Sequence, residues 1–158
     1  MKQRFEKWRR LPLWEQLLLA RLVVLLPMIG LGLQLIGYKR TRDVLGRLAI
    51  AFPVCGTKTS NCDMHPETAH RIAHLVTVAA LYGFYRATCL RQSLALWWLL
   101  KRCGILAELR FGVRRESHGL DAHAWVELHG TALNDAQGIT SRFTILNSSS
   151  PSSFVRKL

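Results

Sequence analysis

The sequence predicts an α+β fold in which a helix that begins at a cysteine packs on an antiparallel sheet, after an N-terminal helical segment. Two observations carry this prediction. Residues 89–102 place apolar side chains at helical spacing. Residues 107–135 instead alternate apolar and polar side chains around tight turns, as strands do. The chain has 158 residues and is 49% hydrophobic, which suits one domain with a sizeable core.

Residues 1–50 are predicted to form an apolar and basic helical segment. No charged side chain occurs in residues 22–38, a stretch at the lower end of the roughly 17–25 residues that span a membrane. Pro27 and the glycines that follow it instead favour two short helices, broken near Pro27 and near positions 30, 32 and 37, and buried against the core or a partner. A peripheral membrane contact through residues 11–38 remains an alternative.

Residues 51–147 are predicted to form the core of the domain, and residues 148–158 a flexible, serine-rich tail. Proline and glycine punctuate residues 52–66, which predicts a loop. A helix then runs from Pro66 to about Arg86. One more strand is predicted at residues 143–146.

The cysteines and histidines outside the Cys89 region do not predict a metal site. Cys55 and Cys62 lie too far apart for a zinc knuckle, even with His65 nearby. His70 and His74 lack the intervening glutamate and the third ligand of a zinc peptidase. Four cysteines without secretory context predict reduced thiols in the cytoplasm. We expect no metal and no cofactor.

Cys89 is the strongest candidate for a nucleophile. Thr88 is expected to cap the helix, and Gly104 to end it after the basic Lys101 and Arg102, so that Cys89 lies in the first turn. Unpaired N–H groups and the positive end of the helix dipole favour a thiolate there. A lone cysteine is more often a small buried hydrophobe, so the residues that follow must decide.

Two predicted strands in residues 121–135 carry a histidine and an aspartate. A three-residue loop over residues 128–130, with Gly130 in the left-handed conformation, would place His123 directly opposite Asp135. A two-residue turn would point His123 to the other face. We therefore expect the odd-length loop. The order cysteine, histidine, aspartate then predicts a catalytic triad.

Residues 85–135 resemble the transglutaminase-like cysteine proteases of lasso-peptide biosynthesis. The resemblance rests on short runs at Cys89-Leu90, Gly104-Ile105, Gly112-Val113 and Ala122-His123-Ala124-Trp125-Val126-Glu127. It implies a papain-like or transglutaminase-like core. The sequence departs from the family pattern at Arg91 and Gln92, where members often have proline and arginine.

The resemblance implies a peptidase that removes the leader from a ribosomally made lasso precursor peptide, with Cys89 as nucleophile, His123 as acid and base, and Asp135 as its support. We expect no attached leader-recognition domain, so a small leader-recognition protein is an expected partner. An ATP-dependent lasso cyclase is expected to take the product. The alternatives are an acyltransferase of the transglutaminase type and a non-catalytic, membrane-associated scaffold.

Two further side chains are candidates for substrate contact. Trp125 is predicted on the His123 face, where it would also keep the triad dry, and Gln92 is a candidate second oxyanion donor. The formal net charge of +12 predicts an acidic partner, whether a peptide, a protein or a lipid surface. The basic residues are scattered and no nucleic-acid-binding motif occurs, so we do not expect nucleic acid to bind.

Overall fold

The computed structural model describes residues 12–52, 66–82, 87–116, 119–135 and 138–146. Within these ranges the chain forms five helices and four strands. In chain order they are α1 (Leu13–Leu35), α2 (Gly37–Ala51), α3 (Pro66–Tyr82), α4 (Cys89–Arg102), β1 (Glu108–Glu116), β2 (Gly119–Leu128), β3 (Thr131–Ala132), α5 (Ile139–Arg142) and β4 (Thr144–Leu146).

The four strands form one antiparallel sheet in the order β3-β2-β1-β4. Helix α4 packs on β2 and β1, and it also contacts α1, α2 and α3. The helix that begins with Cys89 therefore lies at the centre of the molecule, between the other long helices and the sheet. This arrangement confirms the predicted α+β class.

Helix α4 is buried because most of its faces contact other helices or the sheet. Leu94, Ala95, Leu96 and Leu100 have no exposed surface. The helix ends in a Schellman motif: the N–H of Ile105 donates to the Leu100 carbonyl, and the N–H of Gly104 to the Lys101 carbonyl. Gly104 has φ +78°, the left-handed conformation that this motif requires. The predicted stop at Gly104 is confirmed.

Helix α1 continues through Pro27, so the predicted break near that residue is wrong. A proline removes one backbone hydrogen bond, but the tertiary contacts of α1 are extensive enough to keep the helix whole. The break comes at Gly37, where φ is +78°. Gly32 lets α2 approach α1 closely, because a Cβ there would lie 3.3 Å from the Thr41 side chain.

Helix α1 is apolar on two opposite faces. One face is buried against α3 and α4 and includes Leu22 and Leu26, which are at most 1% exposed. The other face has large apolar side chains exposed to solvent: Leu13, Leu17, Val24, Met28, Leu31 and Leu35. Their spacings are three or four residues, and seven between Leu17 and Val24, so they form one stripe along the helix. We call this set the α1 stripe.

The segment Glu15–Leu35 is the one helix in the described ranges that is long and apolar enough to cross a membrane by length and composition. Only 28% of this apolar stretch is buried. Core helices of soluble proteins and signal sequences can have the same length and composition. Glu15, 2% exposed, pairs with Arg71 on α3, so the start of α1 is tied to the core.

The hairpin between β2 and β3 differs from the prediction. Leu128 pairs with Thr131, and Glu127 with Ala132, so the turn has two residues rather than three. His129 (φ 50°) and Gly130 (φ 80°) both adopt positive φ, as a type I′ turn requires. The three-residue loop was therefore the wrong expectation.

Helices α1 to α4 share one apolar core, to which residues on both sides of the predicted boundary at residue 50 contribute. That boundary stays a prediction. Helix α5 was not predicted, whereas the strand at residues 143–146 is present as β4. The tail 148–158 and the loop residues Cys55, Cys62 and His65 lie outside the described residues.

Candidate active site

Cys89 is the first residue of α4 and is partly buried. Thr88 holds the N-cap position in an extended conformation (φ −68°, ψ 162°), and its carbonyl accepts the first helical hydrogen bond, from the N–H of Gln92, at 3.1 Å. The Thr88 side chain makes no capping bond to the first turn. The sulfur is therefore presented at a helix N-terminus, where free N–H groups favour negative charge.

The structure brings the three predicted triad residues together. His123 on β2 is hydrogen-bonded to Cys89, and its Nε2 is hydrogen-bonded to the Asp135 carboxylate. Because Nε2 faces Asp135, the remaining ring nitrogen, Nδ1, is the one available to the sulfur. The side chains of His123 and Asp135 are each 24% exposed, so the site is shielded but open to a substrate.

The pKa of Cys89 lies below that of an ordinary thiol. Burial is the largest single influence and raises the pKa of Cys89, because it disfavours the thiolate. The hydrogen bond and positive charge of His123, together with backbone hydrogen bonds from Ala124 and Leu90, act in the opposite direction. Their combined effect exceeds that of burial, so the site favours the nucleophilic form of the sulfur.

The pKa of His123 is raised from 6.5 to about 9. The hydrogen bond to Cys89 contributes most, burial opposes it, and Asp135 raises the pKa of His123 further through its own hydrogen bond and charge. Below pH 9 the imidazole is therefore protonated beside a sulfur that readily loses its proton. A thiolate–imidazolium pair is the state that this geometry favours.

Asp135 reaches His123 because β3 is short. After Ala132 the chain bends through residues 133–135 instead of continuing the regular pairing. Val126 on β2 makes one hydrogen bond to the backbone of this bend and one to a side chain in it. Its carbonyl accepts the N–H of Leu133 at 2.9 Å, and its N–H donates to Asn134 Oδ1 at 2.8 Å. The bend removes the register constraint that had seemed to require an odd-length loop.

Trp125 lies beneath the imidazole and is fully buried. Its ring is nearly parallel to that of His123, with a centroid distance of 6.3 Å, and Phe143 lies 5.4 Å from the His123 ring. Trp125 therefore has no exposed surface from which to contact a substrate, and its position fits the shielding role instead. Gly112 makes room for it: a Cβ there would lie 2.9 Å from the indole.

Gln92 follows Cys89 by one helical turn and is partly buried. Its Nε2 donates a hydrogen bond to the Ala87 carbonyl at 2.8 Å. One N–H of the amide is thus used to fix the chain that leads into α4, and the second N–H is left for another acceptor.

Sequence reasoning missed Ser93 and Asn134, which join the triad-bearing elements through hydrogen bonds. A serine within the otherwise apolar stretch 93–100 was the available signal for the first. Among the described ranges, no group of three or more His, Cys, Asp or Glu side chains is placed to hold a metal ion.

Comparison with known sequences assigns the chain that carries this site to a family. No curated protein and no solved structure gave a significant match. Residues 33–148 match the family described as the Transglutaminase-like superfamily, a region that includes Cys89, His123 and Asp135 and most of the described elements. The chain therefore belongs to the Transglutaminase-like superfamily.

Proposed function

We propose that the protein is a cysteine peptidase in which Cys89, His123 and Asp135 form the catalytic triad. The observation that carries the proposal is the hydrogen-bonded chain from Cys89 through His123 to Asp135, with the thiol pKa lowered and the imidazole pKa raised. These shifts produce a nucleophile and a general acid in the same ion pair.

In the proposed mechanism the Cys89 thiolate attacks the carbonyl carbon of a scissile peptide bond. The imidazolium of His123 then gives its proton to the departing amine, and the acyl group remains on sulfur as a thioester. Water, deprotonated by His123, attacks the thioester and releases the acid, which restores the thiolate and the imidazolium. Asp135 holds the imidazole orientation and stabilises its positive charge throughout.

The oxyanion that forms during attack needs hydrogen-bond donors. The backbone N–H of Cys89 lies at the start of α4 and is one natural donor. The amide N–H of Gln92 that does not bind Ala87 is our candidate for the second. Both would contribute most when the carbonyl oxygen becomes negatively charged, which is the condition for lowering the barrier.

The substrate we propose is a ribosomally made lasso precursor peptide, from which the enzyme removes the leader. Support comes from the family membership and from the His-Ala-Trp-Val-Glu run at residues 123–127. A small leader-recognition protein would hold the precursor, and a lasso cyclase would take the product. We further propose that the enzyme works in the cytoplasm and contacts the membrane surface through residues 11–38, where the α1 stripe is exposed.

The test is mass spectrometry of a cognate precursor incubated with the enzyme and the leader-recognition protein. Wild type should cleave one bond, and Cys89→Ala should lose all cleavage while remaining folded. Cys103→Ala is the matched control, because Cys103 is a partly buried cysteine at the other end of the same helix, and it should cleave normally. Cleavage by Cys89→Ala would refute the proposal.

The alternative is acyl transfer, since the superfamily includes both cysteine peptidases and acyltransferases. Both reactions share the thioester on Cys89 and differ only in whether water or an amine attacks it. An added primary amine that appears coupled to the product would favour transfer. A hydrolysed product alone, at high amine concentration, would favour the peptidase.

A further inference from the structure

A buried polar network joins the helix of the nucleophile to the sheet. Ser93 lies on α4, one turn after Cys89, and has no exposed surface. Its hydroxyl donates to the Ala124 carbonyl at 2.9 Å and accepts from Asn134 Nδ2 at 3.0 Å. A hydroxyl at this depth is costly unless it is paired, and this one satisfies both an acceptor on β2 and a donor in the bend after β3. A role beyond packing explains the serine better.

Asn134 is held at both ends of its amide. Its Nδ2 donates to Ser93, and its Oδ1 accepts the N–H of Val126 at 2.8 Å. The side chain thus takes the place of a strand backbone in pairing with β2 and fixes the bend that follows Ala132.

Ser93, Ala124 and Asn134 each lie close in the chain to one residue of the triad. Ser93 lies one turn from Cys89 on the same helix. Ala124 follows His123, and Asn134 precedes Asp135. The hydrogen bond between Ser93 and Ala124 therefore fixes α4 against β2. The hydrogen bond between Ser93 and Asn134 fixes the bend against α4. Three separate parts of the chain are joined through one hydroxyl.

We propose that Ser93 and Asn134 are positioning residues, which set the distances between Cys89, His123 and Asp135; this inference rests on the proposed triad. They act through backbone placement, without contact with the substrate. Loss of either would let the bend move, so that Asp135 would no longer hold the imidazole.

The electrostatic consequence can be measured without knowing the substrate. Asp135 raises the pKa of His123, and His123 in turn lowers the pKa of Cys89. A displaced Asp135 leaves the imidazole free to turn away from the sulfur, and the weakened His123–Cys89 hydrogen bond then lowers the pKa of His123 and raises that of Cys89. The rate of thiol alkylation follows the thiolate fraction, so its midpoint on the pH axis reports the change.

The experiment is the pH dependence of Cys89 alkylation by iodoacetamide in the full-length protein, read from the mass of the Cys89 peptide. Asn134→Ala and Ser93→Ala should each raise the midpoint by about half a pH unit, which slows alkylation about three-fold below the midpoint. The double variant should shift no further than the larger single shift, because one network is lost in all three.

Two controls separate the outcomes. Ser141→Ala removes an exposed hydroxyl that bonds locally to the Gly138 carbonyl, and it should leave the midpoint unchanged. Ser93→Thr keeps the hydroxyl and should retain the wild-type midpoint. Asn134 is only partly buried and lies in a bend, so Asn134→Ala tests the idea even if Ser93→Ala does not fold.

The reference is His123→Ala, which should raise the midpoint to that of an ordinary buried thiol. A wild-type midpoint equal to that of His123→Ala would refute the triad itself. A low wild-type midpoint that His123→Ala raises, but that folded Asn134→Ala and Ser93→Ala leave unchanged, would overturn only the positioning role.

Discussion

At the scale of single residues, the two perturbed pKa values define the pH range of activity. The thiolate–imidazolium pair exists above the lowered pKa of Cys89 and below the raised pKa of His123, which is about 9. We therefore expect a bell-shaped profile of kcat/KM for precursor cleavage, with its alkaline limb near pH 9. Asp135→Asn removes a charge that raises the pKa of His123, so the alkaline limb should move to lower pH, and kcat/KM should fall roughly tenfold.

His129→Ala is the control for that profile, since His129 lies exposed in the β2–β3 turn. Its profile should match wild type. An alkaline limb that stays near pH 9 in Asp135→Asn would mean that Asp135 does not support the imidazole.

Gly112 gives a second prediction for a single residue. Because it has no side chain, Trp125 and Phe143 can pack directly against its backbone. A Cβ at position 112 would lie 2.7 Å from the Phe143 Cβ and 2.9 Å from the Trp125 indole. Neither neighbour is a flexible chain end, so Gly112→Ala should destabilise the fold by about 1–3 kcal/mol. It should also reduce cleavage, because Trp125 packs under His123.

Gly46→Ala is the matched control for Gly112→Ala. Gly46 lies inside helix α2, and a Cβ there would meet Trp97 at an ordinary 3.6 Å. Alanine in a helix interior is favoured over glycine by about 0.5–1 kcal/mol. Thermal unfolding should therefore show a higher midpoint for Gly46→Ala and a lower one for Gly112→Ala. Equal midpoints in both variants would contradict the packing argument.

At the scale of secondary structure, the ion pair between Glu15 and Arg71 fixes α1 to α3. Glu15 is 2% exposed, so a carboxylate left there without its partner would be strongly destabilising. We expect Arg71→Ala to lower the unfolding midpoint. Because the cause is an unpaired buried charge, Glu15→Gln in the same chain should recover part of the loss. No recovery in the double variant would show that the charge is not the reason.

The elements that the sequence predicts well are those whose signals are local. Helix α4 stops just before Gly104, which supplies the left-handed residue that the helix end needs. The turn residues His129 and Gly130 likewise predict a hairpin. Pro27 misleads because the tertiary contacts of α1 outweigh one lost hydrogen bond. The register of the hairpin misleads because Asn134 replaces a backbone partner of Val126, and no pattern of alternation records such a substitution.

At the scale of the whole molecule, the order of cysteine, histidine and aspartate, together with the strand pattern around residues 121–135, predicts which residues meet. How they are held could not be predicted, since the Ser93–Asn134 bond spans 41 residues and depends on the close packing of α4 on β2. A buried serine in a helix has many possible partners, and only the fold determines which of them it meets.

The charge and apolar surface of the whole chain lead to the last prediction. Basic residues lie at both ends of the α1 stripe in the sequence, with five in residues 1–10 and four in residues 39–47. An exposed apolar stripe with a basic surround fits an anionic bilayer surface, whereas a second copy of a chain with net charge +12 would be repelled. We expect the protein to sediment with vesicles of phosphatidylserine and phosphatidylcholine at low salt, and less so at high salt or with phosphatidylcholine alone.

The stripe and the charge make separable contributions to this binding. Leu17→Asp with Val24→Asp places two acids on the stripe and should abolish sedimentation with anionic vesicles. Thr131→Asp with Ser141→Asp adds the same charge at exposed positions on β3 and α5, away from the stripe, and should weaken binding only slightly. If both pairs reduce binding equally, net charge alone drives it, and the stripe is not the lipid-facing surface. If wild type stays in solution with anionic vesicles at low salt, the membrane proposal is wrong, and the stripe becomes a surface for a protein partner such as the leader-recognition protein.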